Sequence, residues 1–292
     1  MKIISVSRRT DIPAFYSEWF MNRIREGCVR WMNPFSRATY VESLRPENVG
    51  VIAFWSKNYL PLLPYLDELD ARKYRMLFHF TITGLPKVFE PQVPDAVELM
   101  KCAHTLSERY GRESVLWRYD PVLISSVTDS QYHINRFRYL CSELEGTVKS
   151  CYFSFAVFYG KVLRNTQMLK SETGIQCQDL SLDNRIELAN TFANISAEHG
   201  IDLLSCCGDY LVGDKIKKAH CVDADLLQQL FPDKVSNLAA HPTRKECGCY
   251  ESKDIGAYGT CPHGCVYCYA NTNSQAALLS FERHDPHSDI LG

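Results

Sequence analysis

The chain has 292 residues, 46% of them hydrophobic, enough to build a full core in one α/β domain. A net charge of −2 excludes a broad basic field for non-specific nucleic-acid binding, and no apolar run reaches the length of a membrane span. Met1-Lys2-Ile3-Ile4-Ser5-Val6 passes straight into a β-type run with no signal-peptide layout, so the expected location is cytoplasmic.

Along the chain, strand-like and helical patterns alternate. Lys2–Ser7 reads as a strand and Pro13–Arg25 as a helix; Val49–Trp55 is a strand, Pro61–Leu69 a helix. Then follow strand Arg75–Thr83, helix Pro94–Tyr110, strand Val115–Tyr119, helix Gln131–Leu144, strand Ser150–Phe158, helix Leu182–His199 and strand Ile201–Ser205. Several helices carry Pro or Asp in their first turn, a common helix start. Near-continuous apolar strands separated by helices predict a parallel sheet covered by helices. Right-handed crossovers would curl these units into a full or partial (β/α) barrel of the TIM type. The expected organisation is (β/α) units over residues 1–205 and a Cys-rich tail over 206–292, with one short helix near Ala224–Leu230, packed on the same domain.

In such folds chemistry gathers at the C-terminal ends of the strands. Those ends carry Arg8-Arg9-Thr10-Asp11, Ser56-Lys57-Asn58, Thr81-Ile82-Thr83 and Arg118-Tyr119-Asp120-Pro121. Each has a plainer reading: Asp11 as a helix cap, Arg118 as the ion-pair partner of Asp120. His79, inside a strand run, is expected to be a satisfied core histidine.

Thirteen cysteines without a secretion signal argue against a disulfide framework. Cys28, Cys102, Cys141, Cys151 and Cys177 are scattered, as small buried hydrophobes would be. The other eight crowd into residues 206–268. Cys261, Cys265 and Cys268 form C-x3-C-x2-C, three thiolates able to hold one corner of a metal cluster and leave a metal position open. A zinc knuckle with His263 as fourth ligand is the alternative. Cys206, Cys207, Cys221, Cys247 and Cys249 form a second group, suited to an auxiliary [4Fe–4S] cluster, to zinc, or to plain buried thiols. Cys206 and Cys207 compete for one place in it.

Thr260-Cys261-Pro262-His263-Gly264-Cys265-Val266-Tyr267-Cys268-Tyr269-Ala270 resembles the cluster loop of the spore photoproduct lyase-like branch of radical S-adenosylmethionine enzymes. In that branch the loop is followed by strands ending in Thr-Asp, Thr-Lys, a Ser/Asn-type triplet and Arg-x-x-Pro. The same order runs here from residue 1: Thr10-Asp11, Ser56-Lys57, Thr81-Ile82-Thr83, Arg118 to Pro121, with Ser56 replacing Thr and Thr replacing Ser in the triplet. The chain thus resembles a circularly permuted member, its first strand and cluster loop moved to the C-terminus. It is also similar to a bacterial family known only as a domain of unknown function.

The resemblance implies a [4Fe–4S] cluster on Cys261, Cys265 and Cys268, whose open iron takes S-adenosylmethionine. Reductive cleavage would give a 5′-deoxyadenosyl radical that abstracts hydrogen from an unnamed substrate. It further implies that Lys57 holds the cofactor carboxylate and Thr10 or Asp11 its amino end. Thr81 or Thr83 would touch the methionine or ribose part, Tyr267 would lie beside the adenine, and Arg118 would meet a carboxylate or substrate group. A reducing partner such as flavodoxin or ferredoxin would supply the electron. The competing expectation is a non-enzymatic Fe–S or zinc protein with a structural, redox-sensing or partner-binding role.

Overall fold

The computed structural model describes residues 1–235 and 238–292. Ten strands form among them: β1 (Lys2–Val6), β2 (Cys28–Met32), β3 (Thr39–Ser43), β4 (Val49–Ser56), β5 (Met76–Thr81), β6 (Val115–Val122), β7 (Ser150–Phe155), β8 (Asp202–Ser205), β9 (Ile216–Lys218) and β10 (Lys253–Asp254). Eight make one sheet in the order β10-β1-β4-β5-β6-β7-β8-β9, and every pairing in it is parallel. The edge strands β10 and β9 do not pair with each other among the described residues, so the observed architecture is a large parallel α/β sheet. The other two strands, β2 and β3, form an antiparallel hairpin.

The six apolar runs become β1, β4, β5, β6, β7 and β8 because both faces of the sheet are covered. In β4 every residue is buried except half-buried Trp55. Side chains alternate between the faces. Ile52, Phe54, Phe78, Phe80, Trp117, Tyr119 and Phe153 join Phe20, Leu99, Phe137 and Phe192 from the helices in one core. Ile3, Val51, Ala53, Leu77, Leu116, Tyr152 and Leu204 point the other way and meet Cys206, Ala219, Cys221, Val222, Leu227 and Cys249. One face is therefore closed by helices and the opposite face by the Cys-rich tail.

The helix expected over Pro13–Arg25 breaks at Tyr16 into Ile12–Phe15 and Ser17–Glu26. Asp11 caps the first piece, accepting from the Ala14 N–H at 3.0 Å, and Gly27 ends the second at φ 76°. Helices Ala96–Tyr110, Ser130–Leu144 and Leu182–Glu198 lie where the periodicity predicts them. Helices Gly160–Thr173 and Ser274–Glu282, the hairpin, β9 and β10 were not predicted. No helix among the described residues is long and apolar enough to cross a membrane.

Candidate metal and cofactor site

The three-cysteine loop is positioned from β10. The Asp254 carboxylate accepts from Ser5 Oγ at 2.9 Å, Ser7 Oγ at 2.6 Å, the Arg8 N–H at 2.8 Å and the Gly256 N–H at 3.0 Å, tying the tail to the end of β1. At Gly256 a Cβ would lie 2.1 Å from Ser7 Oγ, so only glycine allows this approach. Further on, Tyr16 donates to the Thr260 carbonyl at 2.6 Å and Asn271 to the Cys261 carbonyl at 2.6 Å. The Val266 N–H donates to the Phe89 carbonyl at 3.0 Å, and Gly264 turns the chain at φ 70°. With the backbone held by its surroundings, the side chains of Cys261, Cys265 and Cys268 come close enough to perturb one another's charge. Burial, then Asp11 and Cys268, push the Cys261 thiol up to about 12; burial raises Cys265 well above the thiol range. Metal binding by Cys261 and Cys265 would release their thiol protons.

Asp11 is both cap and clamp. Beyond Ala14, it accepts from Ser56 Oγ at 2.6 Å and the Lys57 N–H at 2.7 Å, and its Oδ2 lies 2.7 Å from His263 Nε2. One carboxylate thus joins the ends of β1 and β4 to the cysteine loop. His263 is committed to Asp11 through Nε2, while its buried Nδ1 has no partner among the described residues. The N–H groups of Asp11 and His263 are directed at the Cys261 sulfur and moderate its raised pKa. Thr10 Oγ1, also buried, has no partner among the described residues.

Beside the loop lies a constellation centred on Glu90, 2% exposed, which the sequence reading missed. Lys57 Nζ is 2.9 Å from Glu90 Oε1, Thr83 Oγ1 donates to the same carboxylate at 2.9 Å, and the Tyr267 hydroxyl donates to it as well. The Lys57 ammonium also lies 5.5 Å from the centre of the Tyr267 ring. Burial opposes both charges, and the pairing outweighs it: Glu90 is held below the usual carboxylate range and Lys57 above its ordinary value. A cavity of about 530 Å³ opens on Thr83 and Glu90 between the segment 84–97 and Tyr132, Arg136 and Tyr139. A second cavity, about 570 Å³, lies behind the loop between Tyr16, Thr260 and the helix Ser274–Glu282. Thr81 is half-buried at the end of β5, its backbone in register with Arg118.

Arg118 lies with the second cysteine group. It forms an ion pair with Asp120, donates to Cys221 Sγ at 3.4 Å, and stacks over Trp55 at 5.3 Å and Tyr152 at 5.8 Å. Burial disfavours its charge, but Cys221, Asp120 and Cys206 more than compensate and raise its pKa. Asp120 also accepts from Ser154, and its charge reaches Lys57 and Tyr267, so the two groups share one electrostatic environment. Cys206 Sγ lies 3.5 Å from Cys221 Sγ, Cys221 contacts Cys249, and Cys249 contacts Cys247. The Cys221 contact lowers the Cys249 thiol below its ordinary value. Among the described residues no three His, Cys, Asp or Glu side chains already form a shell around one ion.

Two expectations need correction. His79 is fully buried and stacked on Trp55 at 3.8 Å, but neither ring nitrogen has a partner among the described residues, so it is not satisfied. Cys28, expected to be buried, is exposed on the hairpin; Cys102, Cys141 and Cys151 are buried and Cys177 is half-buried.

Fold and site define an α/β protein with a parallel sheet, a three-thiol loop at the strand ends and a second thiol group on the tail-covered face. The chain belongs to the family described as Domain of unknown function (DUF1848), which it matches over residues 3–270. No curated protein and no solved structure matches it.

Proposed function

We propose that the protein is a radical S-adenosylmethionine enzyme built on a partial, circularly permuted (β/α) barrel. The observation that carries this is the loop itself: Cys261, Cys265 and Cys268 gathered at the strand ends, with Lys57 and Tyr267 beside them and His263 engaged by Asp11. Three soft sulfurs fit a [4Fe–4S] cluster with one open position. The strand order supports the permutation, because C-terminal β10 lies beside β1 and leads into the loop. Thirteen free cysteines suit a reducing, cytoplasmic setting.

A [4Fe–4S] cluster held by Cys261, Cys265 and Cys268 would supply the one-electron chemistry that cleaves S-adenosylmethionine reductively and so allows hydrogen abstraction from a substrate. The electron would come from a reducing partner of the flavodoxin or ferredoxin class. The chain's own residues bind and orient. Lys57 offers its charge to the cofactor carboxylate, and Glu90, fixed by Thr83 and Tyr267, keeps that ammonium in place. Of the pair expected at the amino end, Thr10 has an uncommitted hydroxyl among the described residues, whereas Asp11 already holds Ser56, Lys57, Ala14 and His263. Tyr267 would present its ring to the adenine, and Thr81 or Thr83 would meet the methionine or ribose part. Anaerobic reconstitution with iron and sulfide, reduction and addition of S-adenosylmethionine should yield 5′-deoxyadenosine. A reduced, iron-loaded protein that forms none would leave a non-enzymatic metalloprotein.

A further inference from the structure

The chemistry of the loop does not use the five cysteines of the second group, although the fold brings them together from three separate segments. Cys206 and Cys207 follow β8, Cys221 follows β9, and Cys247 and Cys249 flank Gly248. Backbone bonds lace these segments together: Ala219 N–H to the Ser205 carbonyl at 2.9 Å, Tyr250 N–H to Val222 at 3.0 Å and His241 N–H to Cys249 at 2.8 Å. Gly248 permits the close approach, since a Cβ there would lie 2.6 Å from the His220 ring. Cys207 adopts φ 56°, a conformation rare for residues with a side chain, and its sulfur contacts that of Cys206. The four sulfurs of Cys206, Cys221, Cys249 and Cys247 form a chain of contacts, with Cys207 branching from Cys206.

Two guanidinium groups are aimed at this chain. Arg118 donates to Cys221 from the sheet side, while Arg244 donates to Cys207 at 2.9 Å and Cys206 at 3.7 Å from the solvent side. No carboxylate among the described residues lies within ion-pair distance of Arg244. A guanidinium donates far more strongly to an anionic sulfur than to a neutral one. A disulfide is neutral and leaves Arg244 without an anion, whereas Arg118 keeps Asp120; metal-bound thiolates keep charge on sulfur for both. The nearby buried His79 adds an unpartnered imidazole to the same face.

We propose that Cys206, Cys221, Cys247 and Cys249 ligate a second iron–sulfur cluster of the [4Fe–4S] class, with Arg118 and Arg244 as donors to its sulfurs and Cys207 outside the ligand set. Four thiolates leave no open iron, so this site carries electrons or holds the tail in place and does not bind S-adenosylmethionine. Through Arg118 and Asp120 it adjoins the environment of Lys57 and Tyr267.

The test uses the full chain with Cys261, Cys265 and Cys268 all changed to Ala, which removes the loop and spares the second group. After anaerobic reconstitution it should hold about four irons and four sulfides. On reduction it should give an EPR signal unaltered by S-adenosylmethionine. In that background Cys206→Ser should lose the iron and Cys207→Ser keep it, a pairing that separates ligation from general damage to the fold. Arg118→Gln should retain the iron but lower the midpoint potential, because lost N–H donors destabilise the more negative reduced cluster. Iron-free protein, one zinc per chain, a Cys206–Cys221 disulfide by mass spectrometry, or iron lost with Cys207→Ser and kept with Cys206→Ser would overturn it. Failure here leaves the loop proposal standing, because that is read from 5′-deoxyadenosine formation by the unaltered chain.

Discussion

The two faces of the sheet follow different rules. The helix-covered face is packed by apolar and aromatic side chains: Phe137 stacks on Trp117 at 5.2 Å and meets Phe192 at 4.5 Å. The tail-covered face buries Arg118, His79, Trp55 and all five clustered thiols at least in part, and leaves ring nitrogens of His79 and Trp55 unpartnered among the described residues. Apolar burial stabilises without further conditions, whereas buried polar groups cost free energy until something satisfies them. The first face accounts for stability, and the second carries the buried polar groups and the second thiol group, while the three-cysteine loop sits at the strand ends.

Substitutions on the two faces should therefore separate. Phe137→Ala should cost roughly 3–5 kcal/mol in urea unfolding, as for other fully buried aromatics, yet leave iron content per folded chain unchanged. A parallel loss of iron would break the division. Glu90→Gln leaves the Lys57 ammonium buried without its anion and should cost about 3 kcal/mol; it should also weaken S-adenosylmethionine binding, which Phe137→Ala should not. Equilibrium dialysis with labelled cofactor reads the difference.

A pH effect sharpens the same contrast. His133 is fully buried on the helix-covered side, bonded to Tyr119 and the Leu123 carbonyl, and burial lowers its pKa to about 4. Its folded value lies below the unfolded one, so its contribution is complete above about pH 6.5 and fades as pH falls toward 4. The loss should reach about 3 kcal/mol across that window, and His133→Asn should flatten the slope in chemical denaturation. The smallest effect belongs to the exposed Arg30–Asp289 pair at 3.2 Å. Arg30→Ala should cost less than about 1 kcal/mol and shrink further in salt.

The helix-covered face was the legible part of the sequence. Six apolar strands announced themselves because burial on both sides demands continuous apolar residues. Helix Gly160–Thr173 escaped because only Val162, Thr166 and Leu169 are buried along it, too few for a clear stripe. Strand β10 is two polar residues whose role rests on the Asp254 network, which no periodicity could reveal. The loop cysteines and Lys57 were legible as types at strand ends. Glu90 was not: it stands alone before Pro91, and only folding brings Lys57, 33 residues away, against it. The place of Arg118 depended on where an irregular tail would lie, and the tail has no local pattern that fixes its path.

The most direct test of the central claim is EPR of the anaerobically reconstituted, reduced protein with and without S-adenosylmethionine. The account predicts a [4Fe–4S]⁺ signal that changes when the cofactor is added, and no such change once Cys261, Cys265 and Cys268 are replaced by Ala. A cluster signal indifferent to S-adenosylmethionine in the unaltered chain would contradict it.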